Sequence, residues 1–293
     1  MITFYELGQL GRLGNQLFQY AALKSLGLEK NYEVVIPDPS TRAWHGQECL
    51  LDNFNIKSPY FNQGDLNLIK YSYKEPTPEK FDNNFFNVPD NTNITGFFQS
   101  TKYFKNHKDK IIAELTPKKF LMDQASEKIK KIKEDNRGYE IVSLHLRRGD
   151  NTDNTDPNQV VYNNAYGGKQ LTSDSFYYKY FQNATSTFKN KKVKFLVFTG
   201  GKRWQSSNVE DMQWCKDNFK GEHFIFSENN SAIEDFCLIS SCDHHILSHI
   251  SSFGWWAAYI DQKDNLTVAP LKYDPETSYN HRDGFYPERW TLV

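Results

Sequence analysis

The sequence predicts an α/β protein built as two Rossmann-like lobes. Three observations predict it. The chain opens strand, glycine turn, helix, strand. Its second half alternates buried strands with helices at the spacing of a parallel sheet covered on both faces. Its 293 residues are too many for one simple core and suit two lobes. The lobes are expected at 1–135 and 136–293, the final segment being a candidate to return to the first.

Residues 2–7 (Ile-Thr-Phe-Tyr-Glu-Leu) read as the first strand. Gly8, Gly11 and Gly14 punctuate the turn that follows. From Asn15 to Leu28 apolar residues fall at 17, 18, 21, 22, 23 and 26, a helical stripe with Asn15 at the N-cap position. Residues 33–36 (Glu-Val-Val-Ile) form the next strand, closed by Pro37 and Pro39. Residues 40–95 carry loop residues and aromatics without a clear period, and suit loops, short helices and part of an acceptor surface. Residues 96–105 read strand-like into a turn. Residues 106–135 read as helix, with apolar positions 111, 112, 115, 125, 129 and 132.

In the second half, 140–146 (Glu-Ile-Val-Ser-Leu-His-Leu) is a buried strand that ends in Arg147-Arg148-Gly149-Asp150. A long polar loop follows over 151–170, and long loops in compact domains tend to be functional. Then come a helix at 173–189, a strand at 193–198, a helix at 207–219, a strand at 223–226 and a helix at 231–242. A strand at 244–248, a helix at 252–262 and a strand at 265–269 complete the series.

Composition narrows the function. Lys+Arg is 35 and Asp+Glu is 36, for a net charge of -1, which argues against a nucleic-acid binder. The 22 Phe, 17 Tyr and 6 Trp argue against a disordered chain. No apolar run reaches membrane-span length and the start lacks signal-peptide character, so the expected location is cytoplasmic, the alternative being the soluble catalytic domain of a longer anchored protein. Lys128-Ile-Lys-Lys-Ile-Lys133 reads first as a solvated helix face; its alternative is peripheral contact with anionic lipid. Cys49, Cys215, Cys237 and Cys242 form no CxxC pair and read as reduced, buried thiols.

Two stretches carry chemistry. His145-Leu146-Arg147-Arg148-Gly149-Asp150 lies at the carboxyl end of a strand, the edge where open α/β sheets bind ligands. Guanidinium forks match phosphate oxygens in a bidentate way. In extended backbone His145 and Arg147 point to one side and Arg148 to the other. One arginine can then face a diphosphate while its neighbour pairs internally, with Asp150 as candidate partner. At Ser251-Ser252-Phe253-Gly254-Trp255-Trp256 a strand gives way to a helix. Two hydroxyls and the free N–H groups of a helix N-terminus suit an anion. Trp255 and Trp256 read as core. Two phosphate-seeking devices on one sheet edge point to a nucleotide diphosphate. No acidic motif of the kind that holds a sugar-nucleotide metal is present, so no metal cofactor is expected. The glycine turn departs from a dinucleotide fingerprint, because its glycines are evenly three apart.

These motifs together resemble the α-1,2-fucosyltransferases of glycosyltransferase family 11. The resemblance rests on Gly11-Arg-Leu-Gly-Asn-Gln-Leu-Phe-Gln-Tyr-Ala21, on Gly96 to Phe104, on His145 to Asp150, and on Cys242-Asp-His244 leading to Ser251–Trp256. It implies two Rossmann-like lobes facing a cleft (the GT-B type). It also implies GDP-β-L-fucose as donor, inversion at the anomeric centre, no metal, and a galactose-terminated glycan or glycolipid as acceptor. By the same resemblance Arg147 binds the β-phosphate and His145 lies near the guanosine. Ser251 and Ser252 meet the diphosphate, Phe253 sits beside the base, and Asp235, sixteen residues before Ser251, reads guanine. Arg148, Gly14 and Gln16 join the donor site. The catalytic base is Asp150, Asp153 or Asp156; alternatively Asn15 and Arg12 orient the acceptor hydroxyl while leaving-group activation dominates. Two departures stand out. Phe198-Thr-Gly-Gly201 replaces the F-S-D-D of many bacterial members, and His249 stands where Asn or Ile is common. A non-catalytic glycan- or nucleotide-binding protein on the same scaffold is the rival reading. An NAD-type oxidoreductase is the second, and needs a better glycine fingerprint.

Overall fold

A helix with apolar residues nearly all round, α1 (Leu13–Lys30), forms the centre of the first half. A computed structural model describes residues 1–62, 64–78, 80–149, 174–201, 209–249, 251–271 and 283–293. The chain divides into two compact units, Met1–Lys119 with His281–Pro287 and Phe120–Asn280 with Glu288–Val293.

In the first unit β1 (Ile2–Thr3), β4 (Tyr71–Lys74) and β5 (Thr92–Thr95) form a parallel sheet in the order β1-β5-β4. A two-residue turn joins the hairpin strands β2 (Ala43–Trp44) and β3 (Gln47–Glu48). The strand expected over 2–7 stops at Thr3, because turns closed by Leu7 N to Phe4 O (3.1 Å) and Gln9 N to Glu6 O (2.8 Å) bend the chain away. The one expected over 33–36 survives as single bridges, Val34 to Ile2 and Ile36 to Tyr60. The strand near residue 96 lies earlier, at β5, and Gly96–Phe104 is the turn that leaves it. The helix expected over 106–135 breaks into α2 (Lys108–Leu115) and α3 (Lys119–Asp135). Pro117 has no N–H and pushes Thr116 into extended backbone (ψ 131°). From the returning segment, Gly284 O accepts from Thr101 N at 2.8 Å.

Helix α3 from Phe120 onward clusters with the second unit. Leu121, Ala125 and Ile129 bury one stripe of it. Its lysines bind acids of the same unit: Lys128 Nζ lies 3.0 Å from Glu234 Oε1, and Lys133 Nζ 2.7 Å from Asp243 Oδ1.

The remaining elements alternate as expected. They are β6 (Glu140–Arg147), α4 (Asp174–Ser186), β7 (Val193–Gly200), α5 (Val209–Asn218) and β8 (Phe224–Phe226), then α6 (Ala232–Ser241), β9 (His244–Ile246), α7 (Ser252–Ile260) and β10 (Thr267–Ala269). A strand not anticipated, β11 (Thr291–Leu292), closes one edge. All six strands are parallel, in the order β11-β10-β9-β6-β7-β8. From β6 the chain winds outward through β7 and β8, then returns to add β9 on the opposite side. The strand order therefore reverses between β6 and β9. Such a switch point opens a crevice at the carboxyl ends of the two strands, where ligands of this fold class bind.

Val142, Leu144 and Leu146 on one face of β6 pack with Phe181, Val197 and Ile246. On the other face Ser143 Oγ and His245 Nδ1 are 2.9 Å apart, and His245 Nε2 is 3.1 Å from Asp261 Oδ2. Ser143 and His245 are both 0% exposed, so this serine–histidine–aspartate chain is a sealed brace and no hydrolase centre. Trp255 and Trp256 are core, and the four thiols are free and buried, as the sequence suggested. No helix among the described residues is long and apolar enough to cross a membrane.

Candidate active site

The end of β6 separates the two arginines by the strand's period of two. Arg147 N donates to Ser248 Oγ at 2.8 Å, which ties β6 to the segment after β9. Arg147 Nη1 donates to Gly200 O at 3.1 Å and Arg148 O at 3.4 Å, which fixes the guanidinium plane at the strand ends. Arg148 turns the other way. It is 8% exposed, its Nε donates to Asp211 Oδ1 at 3.2 Å, and its guanidinium lies 4.0 Å from the ring centre of Trp214. Arg148 is thus braced internally, between Asp211 and Trp214. Asp211 of α5 is a partner of Arg148 that the sequence did not suggest. Asp150, Asp153 and Asp156 lie outside the described residues.

Gly149 has φ +59°, and a Cβ there would lie 2.7 Å from Gly201 Cα. Its N–H donates to Asp211 Oδ2 at 3.2 Å. The Gly200-Gly201 pair that replaces acids of other members is therefore where two backbones touch.

Ser251 caps α7 in extended backbone, with no side-chain capping bond, and its buried Oγ has no partner among the described residues. The first N–H groups of a helix have no intrahelical acceptor, and the helix dipole favours negative charge beside them. The His145 ring lies against Phe253, with centroids 5.6 Å apart, and under Gly254, whose Cβ would sit 2.6 Å from His145 Nδ1. Only glycine at 254 admits that ring. His145 Nδ1 is also buried without a partner among the described residues. Burial, and then the Arg147 charge, push His145 down to about 3, so the imidazole is neutral at pH 7. Ser252 follows Ser251 in the first turn of α7. The switch point thus gathers His145, Arg147, Ser251, Ser252 and Phe253, all five on or beside the two strands that flank it.

Asp235 lies one helix away, in the first turn of α6, next to Phe236, whose ring meets Phe253 at 5.5 Å. Glu234 caps that turn, in a capping box with Ser231. Asp235 Oδ1 instead accepts from Ser227 Oγ at 2.9 Å and Asn230 Nδ2 at 3.2 Å. Lys128 in turn donates to Asn230 Oδ1 at 2.9 Å. Burial raises the Asp235 carboxyl to about 6.

In the first unit α1 begins at Leu13, so Arg12, not Asn15, stands at the cap position, and its side chain makes no capping bond. Gly8 and Gly11 both have positive φ (85° and 84°) and feed the chain directly into the helix. Gly14 is buried in the first turn. Gln16 Nε2 reaches back to Gly11 O at 3.0 Å, and its Oε1 accepts from Cys49 Sγ at 3.4 Å. Gln16 is 2% exposed with both amide ends used, and it braces the turn. Asn15 Oδ1 accepts from Gln99 Nε2 at 2.6 Å. Sequence reasoning missed Asp211, Ser248, Ser227, Asn230 and Gln99, each joined to its partner only by the fold.

A six-stranded parallel sheet of this order, with a switch point at its centre, defines a doubly wound α/β protein. The chain belongs to glycosyl transferase family 11, whose model matches residues 2–293. It is 26% identical to an alpha-1,2-colitosyltransferase of Escherichia coli over 97% of this chain and 96% of that one. It is 24% identical to galactoside alpha-(1,2)-fucosyltransferase 2 of Hylobates lar over 90% of this chain and 71% of that one. Among solved structures it resembles POFUT1 in complex with GDP-fucose, with a TM-score of 0.52, 12% identity, and coverage of 92% of this chain and 97% of that one. That likeness is one of fold, the α/β architecture of GT-B fucosyltransferases. The family makes glycosyl transfer the reaction class.

Proposed function

We propose that the protein transfers L-fucose from GDP-β-L-fucose to O-2 of a terminal β-galactoside, with inversion. The observation that carries the reading is Arg147 beside the α7 N-terminus at the switch point, two anion receptors on adjacent strand ends. In this reaction the acceptor oxygen forms a bond to C1 as the bond from C1 to the phosphate oxygen breaks. Negative charge grows on the β-phosphate. Arg147, the Ser251 hydroxyl and the first N–H groups of α7 stabilise that charge as it develops. Neutral His145 and Phe253 flank the nucleoside, and Asp235 accepts from guanine N1–H and N2–H. The acceptor proton passes to a carboxylate, with Asp150 as candidate. Asn15 and Arg12 orient the acceptor hydroxyl.

NMR of the product from GDP-fucose and a β-galactoside should show the Fuc(α1-2)Gal linkage. A linkage at O-3, O-4 or O-6, or no transfer to any galactoside, overturns the reading. The Escherichia coli relative's name supports a second donor, GDP-L-colitose, which lacks the 3-hydroxyl of fucose. A higher kcat/KM with GDP-colitose than with GDP-fucose would select it.

A guanidinium and a helix N-terminus supply positive charge to the leaving group without a metal ion. Initial rates should therefore be unchanged after EDTA treatment. A rate lost in EDTA and restored by Mn²⁺ or Mg²⁺ would overturn this expectation.

A further inference from the structure

We propose that Asn230, itself oriented by Lys128, is a positioning residue that fixes the Asp235 carboxylate so that guanine meets Oδ2 alone. The inference rests on the guanine-reading role proposed above for Asp235. All the residues concerned lie in the second unit. Asp235 Oδ1 accepts from Ser227 Oγ at 2.9 Å and from Asn230 Nδ2 at 3.2 Å. Asn230 Nδ2 also donates to Ser227 Oγ at 2.8 Å. A carboxylate oxygen has two lone pairs to offer, and Oδ1 has both engaged. Oδ2 has no partner among the described residues and is the oxygen left for a ligand.

The direction of each bond follows from one ammonium. Lys128 Nζ donates to Asn230 Oδ1 at 2.9 Å and to Glu234 Oε1 at 3.0 Å. Lysine can only donate, so the amide turns its oxygen to Lys128 and its NH₂ to Asp235 and Ser227. Ser227 Oγ, having accepted from Asn230, gives its own proton to Asp235. Both bonds to Oδ1 therefore come from donors, the pattern that suits an ionised carboxylate. A protonated carboxyl would be better served by the amide reversed, with the Asn230 oxygen accepting its proton. Lys128 opposes that reversal.

The frame around the three groups is fixed. Ser227 N donates to Val197 O at 2.9 Å, which seats the loop on β7. Asn229 turns the chain with φ +62°. Ser231 then caps α6, and Glu234 Oε2 accepts from Ser231 N and Oγ, both at 2.8 Å. Lys128 thus ties α3 to the residues on either side of that cap. Among the described residues, the charged groups that act on the Asp235 carboxyl are Glu234 of its own helix and Lys128 of α3. Glu234 opposes ionisation and Lys128 favours it. Lys128 is half-exposed, so water screens its charge and its influence runs chiefly through the amide.

Two measurements test this. The first is calorimetric titration with GDP-fucose from pH 5 to 8, which reads the pH below which affinity falls. That threshold should lie near 6 in the wild type. Asn230→Ala should raise it by about one unit and weaken binding at pH 8 about tenfold, as loss of one bond to a charged group allows. Asn230→Asp keeps the shape and the Lys128 contact but has no N–H to give, and should raise it at least as far. Lys128→Met should raise it by less, and Lys128→Arg, again a pure donor, should hold the wild-type value. Lys128→Met should add nothing in the Asn230→Ala background. An unmoved threshold in both Asn230 variants, or the same Lys128→Met shift with and without Asn230, overturns the proposal. The second measurement needs no ligand. In ¹³C spectra of the aspartate carboxyls, the Asp235 signal, identified by its loss in Asp235→Asn, should show the same shifts in its titration. A signal that titrates alike in wild type and Asn230→Ala overturns the network. A wild-type protein that binds no GDP-fucose at any pH overturns the proposed function, and the spectra still decide the network.

Discussion

Arg147→Lys slows transfer roughly 10²–10⁴-fold although the charge is kept. The planar fork makes two parallel N–H···O bonds to a phosphate, where an ammonium is one compact point. Each charge-assisted bond is worth about 1.5–3 kcal/mol, and about 1.4 kcal/mol is a factor of ten in rate. The structure sharpens the argument. Arg147 Nη1 is held by Gly200 O and Arg148 O, which fixes the plane of the fork. A lysine that satisfied those carbonyls would have no second nitrogen set at a fixed angle beyond them. Arg148→Lys is the control. It should lower the melting temperature while turnover of the folded protein stays near normal, because Arg148 serves Asp211 and stacks on Trp214. The measurement is initial rate at saturating acceptor for both variants, with thermal melts alongside. Near-normal turnover in Arg147→Lys with loss in Arg148→Lys would mean the two faces of β6 are assigned in reverse. Normal turnover in both would put the diphosphate elsewhere.

That control was half legible in the sequence, and the reason is physical. Strand periodicity is local, so the opposite facing of Arg147 and Arg148 could be read from the chain. The partner of Arg148 could not, because Asp211 lies 63 residues away and comes near only when α5 packs on β7. The same division runs through the fold. Strands such as β6 and β7 are eight residues long, rich in Ile, Val, Leu and Phe and buried over most of their length, and each was visible. β1, β4 and β5 are two to four residues long, too short for a period to form, and their pairing is settled in space. At α1 a local rule misled. Asn15 is a good capping residue, but two glycines at positive φ start the helix at Leu13 and leave the Asn15 side chain to Gln99. The residues that brace the site were the ones hidden, since bracing is tertiary by nature.

Asp235→Asn should weaken GDP-fucose binding roughly 10²–10³-fold, and its pH dependence should identify the cause. A carboxylate accepts from guanine N1–H and N2–H together, whereas an amide turns a donor toward one of them, and bonds of this charged kind contribute about 1.5–3 kcal/mol each. Ser227 and Asn230 both donate to Oδ1, which fixes the carboxyl plane and orients Oδ2. Burial lifts the carboxyl to about 6, so the acceptor form is lost as pH falls through 6. The dissociation constant should be flat above that pH and rise about tenfold per unit below it, because one proton must leave for guanine to bind. Stability should respond in the opposite sense. A carboxyl with a folded-state value of about 6 and an unfolded value near 3.9 binds its proton more readily in the folded chain. This group therefore adds stability as pH falls from 6 toward 4, while affinity drops. Acid unfolding would lower both together. Calorimetric titration with GDP-fucose, whose doubly esterified diphosphate does not titrate in this range, should give a sloping profile for the wild type. Asp235→Asn should give a weak, flat one. Wild-type affinity in Asp235→Asn, or a flat wild-type profile from pH 7 to 5, would remove Asp235 from the guanine site.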